Sequence, residues 1–151
     1  SDPLYSMAQG AERVRAARQA IDQSGGGVLL TARAEGFLRG HPNLDEIIGR
    51  LSAYSDAGAD CLFAPGITEP DHIRAVVAAV APKPVNVLMS TASQITLPEL
   101  AALGVRRISV GGTLARTAWA GWLAAAREIA DEGTFSRFQE LPDVNAVLEP
   151  S

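Results

Sequence analysis

Apolar positions along the chain fall into four short runs, each followed by a longer stretch with helical spacing. The runs Val28–Thr31, Cys61–Ala64, Val85–Met89 and Arg107–Val110 read as strands, and the first is nearly continuous in apolar character, as in strands covered on both faces. Ahead of the first run, Leu4, Met7, Ala11, Val14, Ala17 and Ile21 recur at helical spacing, with Asp2 as a cap and Pro3 in the first turn. Glu12, Arg13, Arg15 and Arg18 fall away from much of that stripe and read as a solvated face. Gly25–Gly26–Gly27 ends this helix in a turn; the three glycines precede a strand, whereas a phosphate loop follows one.

The same reading continues through the other units. Asn43 with Glu46, and Thr96 with Glu99, have the spacing of capping boxes, and the helices they open end at Gly58 and Gly104. Leu44, Ile47, Ile48, Leu51 and Tyr54 form the buried stripe of one helix; Ile73, Val76, Val77 and Val80 form that of the next, started by Pro70. A long last helix runs from Leu114 to about Glu132 and carries Trp119 and Trp122. The tail beyond Gly133 holds Phe135, Phe138, Leu141, Val144, Val147 and Leu148, too apolar to lie free in water. Four strand–helix units in series predict an α/β fold of (β/α)8 TIM-barrel type, of which this chain supplies about four βα units; a small open sheet is the other arrangement. Residues 1–133 are assigned to the barrel units and 134–151 to a tail packing on the barrel or on a neighbouring subunit.

Composition narrows the function classes. The 151 residues are 47% hydrophobic and 20% charged, with a formal net charge of −4. That balance gives no electrostatic footprint for nucleic acid or an anionic membrane. Cys61, the single cysteine, reads as a buried small apolar residue, and one thiol forms no internal disulfide. With no apolar run of spanning length and no signal-peptide pattern, the expected location is cytoplasmic.

Candidate chemistry belongs at the C-terminal strand ends, where parallel barrels carry their active sites. Arg33 follows directly on a buried strand, and its planar fork suits a carboxylate or phosphate. A structural ion pair with Glu35 is an equal reading of the same spacing. Glu35 itself would orient Arg33, reach a metal through water, or be a loop acid. Gly111-Gly112-Thr113 opens a helix with exposed backbone amides, a generic anion site that is equally an ordinary cap. His41 and His72 have no partner at metal-ligand spacing and read as surface residues; Asp56, Asp60 and Asp71 read as helix and turn acids. No metal ligands are assigned in this chain.

The series Leu30-Thr31-Ala32-Arg33-Ala34-Glu35-Gly36-Phe37, then Leu44-Asp45-Glu46 and Ala57-Gly58-Ala59-Asp60, resembles the isocitrate lyase/phosphoenolpyruvate mutase superfamily. The nearest branch is the phosphonomutase-like one, the carboxyphosphonoenolpyruvate phosphonomutase relatives. Lys83-Pro84-Val85-Asn86-Val87, Leu103 to Gly111 and Gly133-Thr134-Phe135 extend the likeness over nearly the whole chain. The resemblance implies a barrel enzyme, a lyase or mutase that makes or breaks C–C or C–P bonds beside a carboxylate. It further implies α-keto-acid-like or oxalate-like groups bound on Mg2+. By the same likeness Arg33 holds the substrate's acidic group and Glu35 fills the acid position of the Arg-x-Asp/Glu pattern. Pro65 stands where lyase members carry a glutamate and the mutase a histidine. The chain is similar to the C-terminal half of such an enzyme, so the Mg2+ ligands are expected in the N-terminal half and the chain alone is expected to be inactive. Members exchange their eighth helix between subunits, which implies a homodimer or homotetramer built through the helix from Leu114. The alternatives are a phosphate-binding half of another barrel, gripping through Gly111–Thr113, and a non-catalytic assembly piece.

Overall fold

The computed structural model describes residues 4–139 and 141–148. It divides into two compact units, Ser1–Gly111 and Gly112–Ser151. The first unit contains α1 (Met7–Gln23), β1 (Thr31–Arg33), a 3-10 turn at Gly36–Arg39, α2 (Leu44–Asp56), β2 (Cys61–Phe63), α3 (Pro70–Val80), β3 (Val85–Leu88), α4 (Leu97–Ala102) and β4 (Arg107–Ser109). The second contains α5 (Thr113–Glu132), a 3-10 turn at Ser136–Phe138 and α6 (Val144–Leu148).

The four strands lie side by side in sequence order and all pair in parallel. Each is joined to the next through a helix, the connection that parallel neighbours require. Strand alternation then sorts the residues by face. Ala32, Leu62, Val85, Val87 and Ile108 join Ile47 and Leu51 of α2, Ile73, Val76 and Val80 of α3, and Leu100 of α4 in one apolar cluster. Thr31, Arg33, Cys61, Phe63, Asn86, Leu88, Arg107 and Ser109 alternate with them onto the other face, by the strand register. Helices cover one face and a mixed polar set occupies the other, as in the outside and inside of a (β/α)8 barrel. Four consecutive units of that fold are what the apolar pattern predicts.

The first strand is displaced from its predicted place. Pairing starts at Thr31, not Val28, and runs to Arg33. The residues before it form a lead-in: Val28 is 58% and Leu29 81% exposed. Asp60 fixes the entry, because its Oδ2 accepts from Leu30 N at 2.7 Å and from Arg18 Nη1 at 2.9 Å. Leu30 O in turn accepts from Asp60 N at 2.8 Å. Arg18 and Asp60, read as solvated-face and turn residues, thus tie α1 to the foot of the sheet. β1 is also not covered alike on its two faces, since Ala32 is buried between Thr31, half-buried, and Arg33, exposed.

The caps agree in part. Thr96 and Glu99 form a full capping box, with Glu99 Oε2 accepting from Thr96 N at 2.7 Å. Asn43 caps α2 by accepting from Glu46 N at 3.0 Å, but the Glu46 carboxylate turns to Arg50 Nη2 at 2.5 Å and leaves the box half made. The described part of α1 begins later than predicted, with Ser6 and Gln9 as its capping box. Asp2 and Pro3 lie outside the described residues. The three glycines after α1 all have positive φ, 98°, 73° and 83°, which supports a turn.

Gly104 carries the sharpest backbone demand. Its φ is +91°, and an added Cβ would stand 2.6 Å from Val77 Cγ1 on α3. Left-handed strain and overpacking therefore combine in Gly104→Ala, expected to cost about 3 kcal/mol. A urea melt that leaves the midpoint unchanged would refute that expectation.

Candidate active site at the strand ends

Arg33 is the last residue of β1, and the register sets it opposite Phe63 on the polar face of the sheet. The chain then turns at once: Leu38 N donates to Glu35 O at 2.9 Å, closing the 3-10 turn. Gly36 makes that turn possible, since a Cβ there would meet Ile47 Cγ1 at 2.9 Å and His41 O at 3.0 Å. Glu35 is thereby held beside Arg33, and its Oε1 contacts Arg33 Nε in an ion pair. Arg39 Nε stands 3.9 Å from the other carboxylate oxygen. The Arg33 guanidinium carbon lies 5.3 Å from the centre of the Phe63 ring. Its side chain remains 48% exposed. The ion pair with Glu35 is formed at Nε, and Nη1 and Nη2 make no hydrogen bond among the described residues.

The next loop packs against this one. Gly66 has φ +89°, and an added Cβ would lie 3.0 Å from Leu38 Cδ2 and 3.1 Å from Phe37 Cβ. Pro65 is fully buried and offers no titratable group to a ligand. A cavity of about 220 Å³ lies between the loops after β2 and β3, with Ile67, Met89, Ile95 and Leu100 among its walls and Thr68, Thr91 and Ser93 supplying hydroxyls.

Gly111 follows β4 with φ 55°, at the opposite edge of the sheet from Arg33. Gly112 caps α5 in the second unit, with Arg116 N donating to its carbonyl at 3.0 Å. A Cβ on Gly112 would meet nothing within 4 Å. His41 is exposed, and His72 is half-buried and stacks on Phe37 at 6.4 Å. Among the described residues no group of three His, Cys, Asp or Glu stands together to hold a metal.

Deeper on the polar face lies a set that sequence reading did not connect. Arg107 Nη1 reaches Thr31 Oγ1 at 3.5 Å, and Asn86 Nδ2 donates to Ser109 Oγ at 2.9 Å. Asn86 is fully buried and its Oδ1 has no hydrogen-bond partner among the described residues. Cys61 sits buried among them, as expected; burial pushes its thiol up, against the pull of the Arg107 charge. The visible signal was a lone asparagine within Val85-Asn86-Val87, but which residues it meets depends on the strand register.

Residues 1–130 match the family model of phosphoenolpyruvate phosphomutase. Among solved structures, a provisionally named lyase/mutase from Burkholderia cenocepacia J2315 is 47% identical with a TM-score of 0.87 over 95% of this chain and 52% of that one. A 2,3-dimethylmalate lyase of the phosphoenolpyruvate mutase/isocitrate lyase superfamily is 27% identical, with a TM-score of 0.80 over 95% of this chain and 51% of that one. Oxaloacetate acetylhydrolase, solved with its product oxalate, is 26% identical, with a TM-score of 0.80 over 93% of this chain and 48% of that one. The chain therefore spans about half the length of these proteins. With the family model matched over most of its length and a half-barrel sheet that carries Arg33 at a strand end, this chain belongs to the phosphoenolpyruvate phosphomutase family.

Proposed function

We propose that this chain forms one half of the active site of a lyase or mutase acting on C–C or C–P bonds of small α-keto-acid-type carboxylates. The observation that carries the reading is Arg33, a half-exposed guanidinium at a barrel strand end with Nε engaged and both Nη free of hydrogen bonds among the described residues. Such an edge takes two oxygens of one carboxylate and fixes its plane, which orients the bond beside it. Glu35 pairs with Nε and holds the fork. Similarity to a lyase and to a hydrolase solved with oxalate supports this class of substrate.

Magnesium, implied by the family, has no fitting site among the described residues, and a hard cation needs several oxygen ligands. The 151-residue chain is expected to show no stoichiometric Mg2+ uptake by calorimetry and no turnover with Mg2+; tight one-to-one binding would overturn this. For the reading as a whole, oxalate titrated into the full-length protein is expected to give a one-site isotherm. Absence of binding at millimolar oxalate would sink it.

A homodimer or homotetramer joined through α5 and the tail of residues 134–151 belongs to the same proposal. Trp119 and Trp122, each 60% exposed, meet edge to face at 5.2 Å beside Ala115 and Ala118, and Phe135, Phe138 and Leu141 are exposed as well. Apolar surface of that kind marks an interface. The side chain of Val147 lies outside the described residues. Light scattering at micromolar concentration is expected to show an oligomer, and a stable monomer would rule the exchange out. A cytoplasmic location completes the reading; among the described residues no helix is long and apolar enough to cross a membrane.

A further inference from the structure

We propose that Phe63 is a positioning residue for the carboxylate site, its ring holding the Arg33 guanidinium in the plane in which two Nη–H groups meet an anion; this rests on the functional reading above. Phe63 is the Cα register partner of Arg33 on the neighbouring strand, so both side chains rise from the same face of the sheet. It is the one aromatic among the residues on that face, and it is buried. The guanidinium carbon stands 5.3 Å from the ring centre, within the range of a cation–π contact.

Two contacts therefore meet one side chain. Glu35 engages Nε from the loop, and the guanidinium carbon stands over the ring from β2. The choice of an aromatic has a chemical reason. Glu35 already offsets part of the arginine charge, and a second carboxylate beneath the fork would cancel the attraction for an anion. A ring face attracts the cation without adding formal charge. It also removes rotamer freedom from a long side chain before the ligand arrives, so less is lost on binding. An aliphatic residue such as leucine would fill the space yet leave the plane of the fork unset.

The test uses the full-length protein and oxalate as the probe. Phe63→Leu is expected to weaken oxalate binding about three- to fivefold, the worth of a partly exposed cation–π contact, in a protein whose fold is checked by circular dichroism. Phe63→Tyr restores the ring and is expected to bind within about twofold of the parent, a rescue that packing alone does not give. Equal affinity in Phe63→Leu and the parent overturns the proposal, as does a Phe63→Tyr variant as weak as Phe63→Leu. Should Phe63→Leu fail to fold, the parent still decides: the Arg33 guanidinium resonances are expected upfield of those of Arg39 through the ring current, and their coincidence overturns the stacking. A parent that binds no oxalate refutes the functional reading instead, and the ring-current shift then judges the positioning by itself.

Discussion

Arg33→Lys in the full-length protein is expected to weaken oxalate binding about tenfold to a hundredfold, the range for losing hydrogen bonds to a charged group. The substitution keeps the positive charge, so a purely electrostatic role would leave affinity nearly intact. What it removes is shape. Arginine presents parallel N–H groups spaced to match the two oxygens of a carboxylate, whereas lysine is a point charge on a flexible stem. The surroundings of Arg33 sharpen the contrast. Glu35 is already beside Nε, and the guanidinium carbon lies 5.3 Å from the centre of the Phe63 ring. A lysine ammonium at this position would be drawn to Glu35 and turn its donors away from the ligand. Calorimetric titration with the fold checked by circular dichroism is the measurement. Unchanged affinity in a folded Arg33→Lys protein would remove Arg33 from the anion site and, with it, the main support for the carboxylate reading.

Much of this fold was legible because it rests on local rules. Helix spacing placed α2, α3 and α5 within a few residues, and Thr96 with Glu99 marked the start of α4 correctly. Arg33 and Glu35 were visible as a pair, since two residues apart at a strand end leaves them side by side. What was not legible depends on register. The apolar run Val28–Leu30 has strand composition, but the hydrogen bonds that start the ladder are set by Asp60, thirty residues away in the chain. Moving the strand by three residues carries Arg33 from the loop into the sheet, and only then does Phe63 become its neighbour. The same holds for Asn86 with Ser109 and for Arg107 with Thr31, contacts made across strands. Propensity reads one segment at a time; the site is a property of the paired sheet.

Glu128→Gln is expected to unlock the turn that follows α5, and to abolish its pH dependence. In the second unit the Glu128 carboxylate is buried and accepts from Thr134 Oγ1 at 2.7 Å, Ser136 N at 2.5 Å and Arg137 N at 3.2 Å, with Arg137 Nε 3.5 Å away. Gly133, at φ +68°, turns the chain back so that these donors converge on one side chain. The motif Gly133-Thr134-Phe135 thus has a physical reason: glycine makes the reversal and threonine supplies the first donor. That hydroxyl and the amides after it favour the ionised carboxylate over the opposing effect of desolvation and hold its pKa at about 2, against an ordinary 4.5. A depressed folded pKa means stability that is complete above the unfolded value and lost as pH falls through the folded one. The turn is therefore expected to stay intact from neutral pH down to the unfolded carboxylate's range, and to loosen progressively as pH then falls toward about 2. Glutamine keeps an acceptor oxygen but neither the charge nor the second acceptor, so the variant should lack this transition and show weaker turn contacts throughout. Amide chemical shifts of Ser136 and Arg137, followed as pH is lowered, read the effect directly. A parent midpoint at the ordinary carboxylate value, or the same titration in Glu128→Gln, would show that Glu128 does not hold the turn.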